Sequence, residues 1–213
     1  MSGVAIVQCH QAAVWVRRIT KKFSSLGAVT LIGPELDNLC RRARPEEITR
    51  YGGLEWVIES QGLPNLIHEL IHALFLGHLD DDHGFDYGEI PLDLARRDHR
   101  ELLWEELACC GLSATSCAPL IADPGFERAW FAEQFEIQGV FHGFDDDLAA
   151  FRAHIDAHLR EPANRAGLER TVAWARVALA EVLEPSDASV VPDCEIPRLW
   201  QDYRAHAGLA HVE

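Results

Sequence analysis

The chain of 213 residues carries 34 acidic and 19 basic side chains, a formal charge of −15, with 48% hydrophobic and 25% charged residues. This is the balance of an ordinary globular domain, and it excludes wholesale disorder. The acidity also speaks against a nucleic-acid phosphate backbone as the main partner, because such binding draws on clustered Lys and Arg. The charge is uneven: residues 1–50 hold eight basic and four acidic side chains, the remainder 11 and 30. A patch that meets an anionic partner is therefore expected around Arg17, Arg18, Lys21 and Lys22 or around Arg41, Arg42 and Arg44, with a solvated surface as the simpler reading.

The opening stretch MSGVAIVQCHQAAVWV is apolar, but Gln8, His10 and Gln11 interrupt it and no basic region precedes it. It is expected to be neither a secretory signal nor a membrane span, which needs ~18–20 uninterrupted apolar residues. Six cysteines without a CxxC pair, two of them adjacent (Cys109 and Cys110), point to a reduced, cytoplasmic protein with neither a zinc ribbon nor a thioredoxin-type site.

Residues 11–24 have the apolar spacing of an amphipathic helix, and Gly27-Ala-Val-Thr-Leu-Ile-Gly33 reads as a short buried strand. Pro34, Pro45 and Gly52-Gly53 punctuate a loop-rich region, and residues 54–59 form a candidate second strand. Gly62 and Pro64 then open a long apolar helix to Leu76, with Asn65 as candidate N-cap and Gly77 as its end. Residues 80–84 predict an exposed acidic turn. A second helix is expected over 98–110, stopped by Gly111, and further helices over 147–160 and 165–184. Strand signals cluster before residue 60 and helices dominate after it. The expectation is an α+β, predominantly helical fold in a single domain over 1–213, with a mixed part (1–60), metal-site helices (61–120) and a helical part (121–213).

Residues 68–72 read His68-Glu69-Leu70-Ile71-His72, an HExxH on that apolar helix. Positions 68 and 72 lie a turn apart on one face, where two imidazoles bind one divalent metal ion and Glu69 sits near the open coordination position. Two histidines and a glutamate inside an apolar helix are costly unless a cation satisfies them. The competing reading is a pair of core histidines satisfied by neighbours.

A third ligand has three sources. His78 has the spacing of the metzincin motif, but Phe75 stands where that motif needs glycine, and the chain's single methionine, Met1, leaves no methionine turn. The following helix offers Glu101, Glu105 and Glu106, of which Glu105 is favoured and the other two stay open. His154 and His158 repeat the i, i+4 spacing without a glutamate and read as helix surface. Asp80 to Asp82 and Asp145 to Asp147 lack calcium-loop spacing and read as solvated turns.

Two histidines and one carboxylate suit two chemistries. Zinc with Glu69 as general base hydrolyses amides, the zincin arrangement, with Tyr87, His78 or His83 available to stabilise an oxyanion. Fe(II) in the same set leaves room for dioxygen and substrate, and gives hydroxylation. For 2-oxoglutarate no Arg or Lys lies near the HExxH in sequence, although a distant Arg128 or Arg152 could fold in.

The segment Leu66-Ile-His-Glu-Leu-Ile-His72, followed by Gly84-Phe-Asp-Tyr-Gly88, by Glu105 and by Ser116-Cys117, resembles the elongation factor P hydroxylases. The similarity extends through the helical region from Phe151 past Glu161-Pro162 to Leu183. The expected fold is a zincin-like core with a few short N-terminal strands and the HExxH helix, and the resemblance implies an oxygen-dependent hydroxylase activity on a modified lysine. It implies one metal held by His68, His72 and Glu105 beside Glu69, and a protein or peptide substrate such as elongation factor P; the donor chemistry favours Fe(II) with zinc as the alternative, and the charge and hydropathy lead to the expectation of no nucleic-acid or membrane partner.

Overall fold

The computed structural model describes residues 10–81, 92–144 and 147–207. Among them the chain is α+β and mostly helical. Helix α1 (His10–Ser25) leads into β1 (Ala28–Ile32), β2 (Leu39–Arg42), the short α2 (Pro45–Arg50) and β3 (Trp56–Ser60). Helices α3 (Leu63–Leu76), α4 (Arg97–Cys117), α5 (Phe126–Phe141), α6 (Leu148–Arg160), α7 (Pro162–Leu183) and α8 (Ile196–His206) follow. None of the described helices is long and apolar enough to cross a membrane, and the five described cysteines are free thiols.

The sheet has the order β1-β3-β2, with β1 parallel and β2 antiparallel to β3. The strands expected at 27–33 and 54–59 are β1 and β3. Strand β2 was hidden in Leu39-Cys-Arg-Arg42, whose two arginines read as a basic loop. Pairing makes it a strand: Arg41 reaches across β3 to Glu59 at 2.7 Å and to Glu47 of α2 at 2.7 Å. Arg42 stacks on the Trp56 ring, 3.9 Å from its centroid. These two arginines are thus occupied within the fold, and Arg18 likewise pairs with Glu184 at 2.9 Å.

Helix α1 buries Ala12, Trp15, Ile19 and Phe23 against the sheet and α3, the stripe its sequence spacing foretells. Helix α3 starts after Gly62, with Pro64 in its first turn where the missing N–H costs nothing. Asn65 is therefore not the cap but a buried residue inside the helix. Gly77 ends α3 in the left-handed conformation, φ 73°, as its sequence position predicts.

Gly111 does not stop α4, which runs through to Cys117. A Cβ on Gly111 would lie 2.3 Å from Ile196 Cδ1 and 2.7 Å from Cys194 Sγ, so the glycine is there to let α8 close on α4. From Leu107 to Cys117 every α4 residue is buried, which makes it the central helix, packed against α3, α5, α7 and α8. The Ser113 and Thr115 hydroxyls donate back to the carbonyls of Cys109 and Gly111, which satisfies them inside this core.

Helices α5 and α8, not foreseen individually, complete the layer around α4, and Phe135 packs on Phe151, Trp200 and Tyr203. Asp147 caps α6, its carboxylate accepting from the Ala150 N–H at 2.9 Å; Asp145 lies outside the described residues. Of the histidine pair on α6, His154 is exposed as expected. His158 is buried and accepts a 2.7 Å hydrogen bond from Trp104 Nε1, a correction to its helix-surface reading.

The Trp104 indole covers Gly167 of α7, where a Cβ would lie 2.2–2.7 Å from three ring atoms. Gly167→Ala is therefore expected to displace the ring, break its bond to His158 and lower stability by about 1–3 kcal/mol, read by urea unfolding with tryptophan emission as the probe. Burial, with Arg100 nearby, holds His158 down at about 4. The unfolded chain, with a histidine near ~6.5, takes up that proton first, so this contribution is complete above ~6.5 and is lost as pH falls toward 4. Thermal melts from pH 4 to 7 are expected to show a shallower acid-side loss in His158→Gln than in the wild type.

Candidate metal centre

Strand β3 runs almost directly into α3. The turn between them is held by the Ser60 hydroxyl, which donates to Gly62 O at 2.8 Å, and by Gln61, whose N–H donates to Asn38 Oδ1 at 2.8 Å. That short connection sets the rotation of α3, and its i, i+4 spacing then places His68 and His72 on the face toward α4. Their Nε2 atoms face each other at 3.2 Å. Helix α4 brings two adjacent carboxylates to this pair, on opposite edges of the His72 ring. His72 Nδ1 donates to Glu105 Oε1 at 2.9 Å. Glu106 Oε2 stands on the other edge, 3.5 Å from His72 Nε2 and 3.9 Å from His68 Nε2.

The atoms that converge are therefore His68 Nε2, His72 Nε2 and Glu106 Oε2. The favoured Glu105 meets His72 at the far nitrogen, where a carboxylate fixes the ring's tautomer and orientation. Glu101, the third glutamate of that helix, is exposed and paired with Arg97 at 2.7 Å. His78 turns its Nδ1 to the Leu76 carbonyl at 2.9 Å at the end of α3. His83 and Tyr87 lie outside the described residues. Arg128 contacts His206, and Arg152 contacts Tyr203 and Glu136, both away from this centre.

Glu106 Oε2 is buried with no hydrogen-bond partner, and so is His68 Nδ1. Burial, reinforced by His72, pushes His68 down to about 3. Burial also opposes charge on His72, but the Cys109 sulfur and the Glu106 and Glu105 carboxylates around it raise it well above the usual histidine range. Glu106 is held low by the two histidines despite its burial. Three acceptors thus face one point with at most one proton to share. A cation at that point satisfies all of them, so the donor set fits a metal ion.

Cys109 is a feature that sequence reasoning missed. Its Sγ and one ring nitrogen from each histidine lie within 4.8 Å of one another. It is fully buried, and burial pushes its thiol up to about 12. The available signal was its position three residues after Glu106, one helical turn along the same face.

The centre forms the floor of a cavity of about 600 Å³ between the β2 edge, α3, α4 and α5. Half-buried Glu69 lines it beside His68. Six carboxylates, those of Asp37, Glu69, Asp80, Glu105, Glu106 and Glu133, line the cavity, and among the described residues no Lys or Arg does. Leu76, Leu102, Ile137 and Phe141 supply an apolar flank. No protein-family model matches the chain, and neither do any curated protein or solved structure compared with it.

Proposed function

We propose that the chain is a metal-dependent hydroxylase of a protein or peptide side chain, with one divalent ion, Fe(II), held by His68, His72 and Glu106. The observation that carries this reading is the convergence of two imidazole Nε2 atoms and an unpartnered carboxylate oxygen on the floor of the cavity. Glu106 takes the ligand role for which Glu105 was favoured. His68, His72 and Glu106 would hold Fe(II), which when bound would supply the oxidising chemistry with dioxygen.

The protein's residues do the rest. Glu105 orients His72 through its Nδ1 proton. Glu69 holds water or the substrate's polar group at the cavity floor. The carboxylate-lined wall selects a positively charged side chain, whose alkyl stem the Leu76–Ile137 flank accommodates. This is the chemistry of an extended or modified lysine, in line with the resemblance to elongation factor P hydroxylases, and elongation factor P is the first substrate to try. Placing one oxygen atom of dioxygen in a C–H bond releases the other as water and consumes two electrons and two protons. With no cationic side chain described in the cavity to hold the carboxylates of 2-oxoglutarate, the electrons come from a separate reductant.

A second reading, a zinc peptidase on a zincin-like core, is favoured by one observation. The antiparallel edge strand β2 borders the cavity through Leu39 and Cys40, where an extended peptide chain can align. Glu69 would then be the general base.

Protein purified anaerobically from cells supplied with iron and zinc is expected to carry about one iron per chain. His72→Ala and Glu106→Gln should lose it, whereas Glu105→Gln should keep the site with about 10–100-fold weaker binding. Metal retained in Glu106→Gln and lost in Glu105→Gln would return the ligand role to Glu105. Glu69→Gln is expected to keep its metal while turnover falls about 10²–10⁴-fold, measured as oxygen uptake together with a mass gain of one oxygen atom on elongation factor P. Zinc in place of iron, with cleaved peptide as product, would establish the peptidase instead.

A further inference from the structure

We propose that Cys109 is a fourth protein donor to this centre, so that the ion is held by two histidines, a carboxylate and a thiolate. The inference rests on the metal reading above and extends it to a residue which neither the HExxH motif nor the family resemblance points to.

Three observations carry it. The Cys109 sulfur and one nitrogen of each histidine fall within 4.8 Å of one another, so that small side-chain rotations bring them to the separations, below ~4.4 Å, that one ion bound at ~2.0–2.1 Å to nitrogen and ~2.3 Å to sulfur spans. Glu106 Oε2, buried and without a hydrogen-bond partner, stands 3.5–3.9 Å from the Nε2 atoms of the two histidines and comes from one turn earlier on α4, so both helices contribute donors to this cluster. Finally, Cys109 differs from the other donors in its access. His68, His72 and Glu106 all line the cavity, whereas Cys109 is fully buried and does not. Its sulfur approaches from the protein side and leaves the cavity side to substrate.

The chemical consequence is a softer and more negative set. A carboxylate and a thiolate together balance a divalent charge, and the sulfur biases the site toward Fe(II), Co(II) or Zn(II) over Mg(II) or Ca(II). Cys110, the next residue, is equally buried but carries no such placement, which makes it the natural control.

The test uses the full-length protein, stripped of metal and titrated with Co(II), whose spectrum separates the two layers of the argument. The expected result is about one Co(II) per chain, visible in its d–d bands, with a near-ultraviolet sulfur-to-cobalt charge-transfer band. That band should disappear in Cys109→Ser and persist in Cys110→Ser. X-ray absorption of the zinc-loaded wild type is expected to show one sulfur neighbour at ~2.3 Å, which tests the claim even if Cys109→Ser fails to fold. Bound Co(II) without the band, a band that survives in Cys109→Ser, or a zinc shell without sulfur overturns Cys109 as a donor and leaves the histidine–carboxylate reading standing. No bound Co(II) at all overturns both.

Discussion

The seam between α3 and α4 is the constraint on which the rest of the molecule turns. Two imidazole nitrogens and a carboxylate oxygen point at one another there, within 3.2–3.9 Å, on the floor of a cavity lined by six carboxylates. Packing alone disfavours that arrangement, since three acceptors have at most one proton to share between them. It becomes favourable when a cation supplies what the interior lacks. The helix pair is therefore best regarded as a binding device whose folding free energy and ligand affinity are linked.

The other elements serve that seam. The sheet fixes the entry of α3 through the two-residue turn after β3. Helix α1 backs the sheet, and α7, with its close approach of Gly167 to Trp104, buttresses the far side of α4. Helix α5 supplies the remaining cavity wall through Glu133, Gln134, Ile137 and Gln138. The site thus has a floor from two central helices and walls from peripheral ones, the arrangement that keeps donor geometry fixed.

Much of this could be read from the sequence where a local rule decides. The helix with His68 and His72, its end at Gly77, and the strands at β1 and β3 follow from periodicity, a glycine stop and β-branched runs. What could not be read depends on distant partners. Gly111 looks like a stop signal until α8 is placed against it. Leu39–Arg42 becomes a strand only when β3 pairs with it and acidic partners meet Arg41. Glu105 and Glu106 both look available, because a helix that becomes fully buried from Leu107 onward has no polar face to set its rotation. Tertiary contact gives Glu105 to one edge of the His72 ring and Glu106 to the other. Cys109 lay hidden for the same reason.

The edge strand has a further consequence. An outer strand with open N–H and C=O groups invites pairing with another chain, and natural sheets guard such edges. Here the backbone N–H of Arg42 at the β2 edge donates to the Asp81 carboxylate at 3.2 Å, from the segment that leaves the HExxH helix. A single side chain thus occupies an open N–H of the outer strand and guards the sheet against edge-to-edge association. Any extended chain that docks along β2 at Arg42 must displace it, so one carboxylate stands between this edge and both self-assembly and a docked peptide.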